Sequence, residues 1–201
     1  MLSCYLASTR SCHAGFRLLV TLWVMLFFVS GCQTTPGGDK GKSFSVDKGG
    51  EKLTISEKLE PPIKYFSIEK TMSATELREQ AKGIAEQTGT AIGKSKLLTK
   101  DGPLTLVYKD LISMPDSAVT AKIGFPIKGF MKVAGQYTLE SKPEFKCLSL
   151  EHSSNREDPK GNWLLLYDVA KTKGFQVNGE ARTVVTVGTT GIKEELQLGI
   201  L

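Results

Sequence analysis

Apolar and polar residues alternate over much of this chain, which is the pattern of strands with one buried face. The alternation between residues 53 and 70 is interrupted by Pro61-Pro62, and proline cannot donate to a central ladder. We therefore expect a strand that is broken or bulged at these two prolines. A regular alternation follows at 104–109, with three apolar residues on one face. Similar segments predict strands at 118–126, 144–152, 182–187 and 194–200.

Helical spacing begins after Ser73. Ser73 and Glu76 fit a capping box, in which the side chain of each residue satisfies a backbone N–H of the other. Apolar residues then recur at helical intervals as far as Ala85. Gly89 follows this stretch, and we expect it to be the C-cap of the first helix.

A second, shorter helix is predicted at 163–173, with Gly174 closing it. Asp158 and Pro159 fit its N-cap and first position, although Asn162 is a rival N-cap. Each half of the chain then has the order strand, helix, strand, strand. This duplicated β-α-β-β unit predicts an α+β domain, with two half-sheets, the helices on one face and a central cleft.

The N-terminal residues have an apolar run without alternation. Arg10 and Arg17 precede the segment LLVTLWVMLFFV, and no acidic residue occurs before Asp39. The run is shorter than the roughly 20 residues that a spanning helix needs, and the arrangement is typical of a secretion signal. Residues 29–32, Val-Ser-Gly-Cys, resemble a bacterial lipobox. In lipoproteins this motif implies cleavage before Cys32 and lipid on its sulfur and its new amine.

That resemblance implies a membrane partner, bound through the lipid on Cys32, and a place in the cell envelope facing the periplasm. Gln33 favours the outer membrane. Several acyl chains on one cysteine anchor a protein stably to a membrane, whereas a single chain gives only marginal binding. The predicted organisation is a signal peptide at 1–31, a flexible tether rich in glycine at 32–51 and a folded domain at 52–201. An ordinary cleaved signal and an uncleaved anchor are the alternatives.

The charge and the cysteine usage further limit the kind of protein that this chain can be. The formal net charge is +5, and two of the 26 basic residues lie in the leader. The remaining lysines are scattered, with neither a basic stripe nor a nucleic-acid-binding motif, so we expect no nucleic-acid partner. Outside the leader and Cys32, the remaining cysteine is Cys147, which we expect to be a small buried apolar residue.

Catalytic and metal-binding motifs are absent from the sequence. His152 is the one histidine outside the leader, and a metal site needs several ligands placed together. The chain has no nucleophile elbow, phosphate loop or dinucleotide fingerprint. We therefore predict no catalytic residue, no metal and no cofactor.

Four short segments carry a resemblance to a known family, and they extend over most of the region 53–201. They are GPLTLVYKD at 102–110, KIGFPI at 122–127, KGF at 173–175 and EELQLGI at 194–200. Their order resembles the gyrase-inhibitor-like family, also called the AraC effector-binding domain, to which the SOUL haem-binding family is related. The resemblance implies the duplicated unit and a central groove that binds small, often cationic or aromatic molecules.

The family's groove carboxylate corresponds to Thr183 in this chain, and its nearby tyrosine to Val185. A buried cation without a counter-charge is costly, so the resemblance here implies a small apolar or aromatic ligand. Glu151 replaces the missing acid if its strand faces inward. The candidate ligand-binding residues are Tyr108, Tyr137, Glu151, Trp163, Tyr167 and Thr183.

The predicted function is a membrane-anchored lipoprotein with a non-catalytic domain that binds a small molecule. Two alternatives from other classes stay open. One is a lipid-anchored hydrolase that uses a carboxylate in the same cleft. The other is a haem binder like the SOUL proteins.

Overall fold

A computed structural model describes residues 41–109, 111, 118–153, 159–189 and 191–201. Cys32 and the predicted signal peptide lie outside the described residues, as do the predicted turn at 115–116 and the predicted N-cap Asp158. The chain divides into two units, Met1–Pro36 and Gly37–Leu201. All the helices, strands and apolar clusters described below lie in the second unit, which therefore contains its own hydrophobic core.

The described residues form two helices and a sheet of ten strands. The helices are α1 (Ala74–Lys94) and α2 (Pro159–Thr172), and the strands are β1 (Ser43–Lys48), β2 (Glu51–Glu60), β3 (Ile63–Met72), β4 (Leu98–Lys100), β5 (Leu104–Lys109), β6 (Val119–Gly129), β7 (Tyr137–Lys142), β8 (Phe145–Ser153), β9 (Val177–Gly188) and β10 (Gly191–Ile200).

The duplicated unit is present, which confirms the predicted fold class. The first copy is β3-α1-β5-β6, with β4 added beside β6, and the second copy is β8-α2-β9-β10. Within each copy the last strand lies between the other two, in the orders β3-β6-β5 and β8-β10-β9. The copies join where β5 pairs with β9 in the middle of the sheet.

Both helices cover the same face of the sheet, as predicted. α1 packs on β3, β4 and β6, whereas α2 packs on β8 and β10. Leu166, Val169 and Ala170 of α2 are buried against Leu148 and Leu198 of the sheet. The corresponding cluster of the first copy places Leu77, Ile84 and Ala85 of α1 against Ile68, Leu106 and Ile123.

The two copies exchange a strand at their edges. β2, which precedes the first copy, pairs with β8 of the second copy, whereas β7, which precedes the second copy, pairs with β3 of the first. The β2–β8 ladder ends at Glu60 opposite Phe145, and the β3–β7 ladder resumes at Ile63 opposite Lys142. Two residues link the strands on each side. The two ladders therefore form one continuous antiparallel ribbon.

The ribbon bends at Pro61-Pro62, which confirms the predicted break. β2 and β3 are six places apart in the strand order, yet the two prolines span at most about 11 Å. The sheet must therefore curve strongly. The centre of the face without helices is buried as a result: Tyr65, Val107, Cys147, Ser149, Arg182 and Gln197 lie there with exposed fractions of 4% or less. We call these six residues the polar core.

Hydrogen bonds and a buried thiol show how tightly the polar core is packed. The Tyr65 hydroxyl donates to the carbonyl oxygens of Thr105 and Lys122, at 2.6 and 2.9 Å. Cys147 is a free, fully buried cysteine, as predicted. Burial raises the pKa of its thiol to about 12. Cys147 is therefore a thiol at neutral pH, which fits a packing role.

Most of the predicted helix boundaries are confirmed. Ser73 and Glu76 form the capping box, in which the Ser73 backbone N–H donates to the Glu76 carboxylate at 2.9 Å. α2 begins at Pro159, and Gly174 follows its end with a φ of 77°. The predicted C-cap at Gly89 is wrong: the helix continues to Lys94, because apolar residues beyond Gly89 still pack on the sheet.

Three strands were not predicted, and one of them shortens the predicted tether. β1 lies within the range 32–51 and pairs with β2 through the tight turn at Gly49-Gly50. Residues 43–51 therefore belong to the sheet, because Phe44 and Val46 pack against the second-copy cluster. β4 and β7 lie in stretches for which the sequence analysis predicts no element. None of the described helices is long and apolar enough to cross a membrane.

Candidate functional site

The predicted cleft falls on the helix face between α1 and α2, above the central strand pair β5 and β9, and we call this region the groove. The strands β5 and β9 lie between those on which the helices mainly pack, although α1 also reaches Leu106 of β5. Leu104 pairs with Val185 and Leu106 with Thr183, so their side chains form the floor of the groove. Leu104 and Val185 are only partly buried. Leu106 and Thr183 are buried, so Leu104 and Val185 are the part of this floor that a ligand could reach.

Three predicted ligand-binding residues meet in the groove. Trp163 reaches from α2 to Tyr108 of β5, with ring centroids 6.3 Å apart and an interplanar angle of 80°. Such edge-to-face contacts between aromatic rings are favourable. Burial raises the pKa of Tyr108 to about 12, although a hydrogen bond with the Thr183 side chain opposes the shift. Tyr108 is therefore a neutral phenol at physiological pH.

An acidic residue also faces the groove, but it is not the predicted one. Glu194 of β10 is paired with Val185 of the floor, and about 30% of its side chain is exposed. Its carboxylate adds to the rise in the pKa of Tyr108 and lies 3.6 Å from Nε2 of the buried His152. Alternation could have found it, since Leu196 and Leu198 of the same strand are buried on the helix face.

Glu151 does not join Tyr108 and Trp163, because its side chain faces away from the groove. It is 68% exposed and lies 3.9 Å from Lys58 on the face without helices. Leu150 and His152 on either side point toward the helices and are buried. A register difference of one residue moves a side chain to the other face of a sheet, and here it separates Glu151 from the groove.

The structure places Tyr137 and Tyr167 away from the meeting point of Tyr108 and Trp163. Tyr137 lies on the outer strand β7, three strands from β5, and stacks on Phe66 with centroids 5.1 Å apart. Tyr167 packs against the apolar cluster beneath α2. Tyr137 belongs to the core of the first copy and Tyr167 to the core of the second, because each ring packs against the apolar side chains of its own copy.

Charges are concentrated beneath the sheet rather than in the groove. Arg182 stacks on the Phe145 ring at 3.7 Å and lies 2.7 Å from the Glu180 carboxylate. Burial alone raises the pKa of Glu180, but the contacts with Lys142 and Arg182 outweigh it, so this pKa is lowered. The pKa of Glu195 is lowered in the same way by Lys58 and other hydrogen-bond donors. These charges are compensated within the protein.

A depression of about 470 Å³ lies where β2 and β8 diverge, outside the groove. Lys58 and Glu151 line it, and Lys58 also lies 2.8 Å from Glu195. Lys58 therefore pairs with two carboxylates there. Among the described residues, no group of three or more His, Cys, Asp or Glu could hold a metal ion. The groove is therefore the better candidate for a ligand site.

Comparisons with solved structures identify the fold. The chain matches the C-terminal domain of EcmrR with a TM-score of 0.64 at 12% identity, over 74% of this chain and 98% of that domain. It spans 57% of the EcmrR chain solved in a DNA complex. SAV2435, solved with bound tetraphenylphosphonium, gives a TM-score of 0.50 at 12% identity, over 73% and 93% of the two chains.

A structure described as a hydrolase from Listeria innocua gives a TM-score of 0.50 at 11% identity, over 73% of this chain and 91% of that one. No protein-family profile and no curated protein sequence matches the chain. At these identities the structural likeness establishes a shared fold and nothing about shared chemistry.

Proposed function

We propose that this protein is a lipid-anchored binding protein of the bacterial cell envelope, whose groove takes up a small aromatic molecule without catalysis. The observation that carries the proposal is the groove itself. Its floor is the partly exposed pair of Leu104 and Val185, and its wall is Trp163. A concave apolar surface with few polar groups is the usual form of a small-molecule site.

Glu194 adds a preference for positive charge. Its carboxylate is part exposed beside Val185, so a cation above the floor would find a counter-charge that Thr183 does not supply. A neighbour of the same fold, SAV2435, was solved with tetraphenylphosphonium, a cation with four aromatic rings. A lipophilic aromatic cation therefore fits both the apolar floor and the acid.

The experiment uses tetraphenylphosphonium as the probe and the unit 37–201 as the protein. Trp163 is the one tryptophan of that unit, because the other, Trp23, lies in the leader. Its fluorescence therefore reports on the groove directly. We expect a saturable change on titration, and we expect Glu194→Gln to weaken binding by about tenfold, the loss of one charge-assisted contact.

The matched control is Glu151→Gln, which removes an acid from the opposite face. We expect it to bind like the unaltered protein. A linear fluorescence response without saturation would refute the groove as the site. Equal losses in the two glutamate variants would refute the role of Glu194, since a general effect of net charge would then explain both.

Lipid on Cys32 explains the envelope location in this proposal. It is supported by the basic leader, the apolar run and the Val-Ser-Gly-Cys motif at 29–32. Intact-mass analysis of the protein recovered from bacterial membranes is expected to show a chain that begins at Cys32 and carries diacylglycerol and an acyl group. A free thiol, or the intact leader, contradicts the anchor and leaves the groove proposal standing.

The hydrolase alternative loses the carboxylate on which it rested, because Glu151 lies outside the groove. No contact in the described residues favours haem. We therefore propose binding alone. Absence of hydrolysis of aromatic esters and absence of a Soret band after haem addition are the expected results.

A further inference from the structure

An exposed apolar pair lies at the edge of the first copy, where β4 leaves β6. The ladder between these strands pairs Leu98 with Gly129, and the next residues outward are Leu97 and Phe130. A Cβ at Gly129 would collide with the Leu97 carbonyl oxygen, so the two segments are in close contact here. Leu97 is 65% exposed and Phe130 is 70% exposed.

The neighbours of this pair are held in the core. Leu98 is buried, and Met131 and Val133 pack against the apolar cluster beneath the end of α1. The two exposed side chains therefore project from anchored segments. Exposed apolar residues are common when they are scattered, but two large ones at one place on the surface are typical of an interaction site.

Lysines are frequent in the segments that carry the apolar pair and in the strands beside them. The Lys64 ammonium donates to the carbonyl oxygen of Gly129 at 3.2 Å, next to Phe130 in the chain. The Lys128 ammonium lies 2.6 Å from Asp101, the one acidic residue that the structure describes between positions 87 and 139. The lysines nearest in sequence or in the β4–β6 ladder are Lys64, Lys94, Lys96, Lys100, Lys128 and Lys132.

We propose that this surface, the Leu97–Phe130 patch with its lysines, docks on a bilayer that contains anionic phospholipid. Phe130 and Leu97 enter the interfacial layer, and the lysines lie at the level of the lipid phosphates. Apolar side chains framed by basic residues bind anionic membranes through burial and charge together. The excess of lysines over acids in this region provides the charge complementarity.

The patch is distinct from the groove and from Cys32. It lies beside β4 and β6, whereas the groove lies above β5 and β9. Nucleic acid or an acidic protein would use the lysines and would not require two apolar side chains at their centre. Dependence on both features is therefore the mark of a lipid surface.

The test is co-sedimentation of the unit 37–201 with vesicles of phosphatidylcholine alone or mixed with phosphatidylglycerol. We expect binding to the mixed vesicles, weak binding to the neutral ones and release by high salt. Two double variants remove the two features: Leu97→Ser with Phe130→Ser, and Lys96→Glu with Lys132→Glu. Each is expected to weaken binding by at least about tenfold.

Matched controls alter the same residue types elsewhere. Leu164→Ser removes an exposed leucine of α2, and Lys82→Glu with Lys193→Glu changes the net charge equally at exposed positions. We expect both controls to bind normally, and all variants to keep their melting temperature. Binding that is lost equally in controls and patch variants, that survives the loss of Leu97 and Phe130, or that does not occur at all overturns the proposal. Tetraphenylphosphonium titration of the same variants keeps this outcome separate from that of the groove.

Discussion

The two faces of the central sheet are both buried, but by different means. The helix face is covered by α1 and α2 and holds apolar side chains such as Leu106 and Leu198. The other face has no helix, and the curved ribbon buries it around Arg182, Tyr65 and other polar groups. Apolar burial needs only a matching shape, whereas polar burial needs a partner for every group. The two faces therefore differ in which side chains can be replaced without a loss of stability.

The largest effect is expected from Arg182→Ala on the ribbon side. The change leaves the Phe145 ring without its stacked guanidinium and removes one cation from Glu180. Breaking a buried pair costs about 3–5 kcal/mol, and urea denaturation measures the free energy of unfolding. The exposed pair of Lys128 and Asp101 is the control: Lys128→Ala is expected to cost less than about 1 kcal/mol. Equal losses would show that burial of the pair does not matter.

Two adjacent residues of β10 allow the contributions of the two faces to stability to be compared directly. Leu198 is fully buried under the helices, and Gln197 lies in the polar core. Leu198→Ala leaves a cavity and is expected to cost about 3 kcal/mol. Gln197→Leu is the paired test, since it removes a polar group that hydrogen-bonds to Glu195 and Glu60. If Gln197→Leu stabilises the protein, the network of the polar core is not required for stability.

Acid is expected to destabilise the protein through the carboxylates of the polar face. Glu180 and Glu195 have lowered pKa values in the folded protein because cations and hydrogen-bond donors surround their carboxylates. Their stabilisation is therefore complete above the ordinary carboxyl range. It is lost as the pH falls from about 4.5 through the folded pKa values. Melting temperatures measured between pH 7 and pH 3 check this expectation.

A double variant isolates the carboxylates in that experiment. Glu180→Gln with Glu195→Gln is expected to be less stable than the unaltered protein at pH 7. The two proteins are expected to converge as the pH falls, because the unaltered carboxylates then become protonated. Parallel curves across the whole range would exclude these two residues as the source of acid sensitivity.

The smallest effect is expected in the groove. Thr183→Val removes the side-chain hydrogen bond with Tyr108 and is expected to cost about 1 kcal/mol. Thr186→Val alters an exposed residue of the same strand and is expected to be neutral. Chemical denaturation of both variants provides the comparison. A loss at Thr186 as large as that at Thr183 would show that the strand, rather than the hydrogen bond, responds.

The duplicated architecture followed from local patterns, because capping residues and alternation act over short distances. Ser73 with Glu76 marked the start of α1, and Pro61-Pro62 marked the bend between β2 and β3. The edge strands were missed because they have little apolar character of their own. β1 lies in a glycine-rich stretch, and the hairpin with β2 together with the packing of Phe44 and Val46 on the second-copy cluster orders it.

The groove was predictable only in part. Tyr108, Trp163 and Thr183 meet there, whereas Glu151 faces the other side and Glu194 takes its place. The phase of β10 contained this information, since Glu194 alternates with Leu196 and Leu198 on the helix face. The burial of Arg182 could not be predicted from neighbouring residues. It depends on the curvature of the whole sheet, which brings together strands six places apart.

The strand exchange at the edges also governs when the molecule can fold. β2 finds its partner β8 only after some ninety further residues have been synthesised, since Ile55 pairs with Leu150. Pairings so distant in sequence slow the search for the native state. The first half of a nascent chain thus has an unfinished edge until the second half arrives. Until then the edge of β2 stays available to other strands.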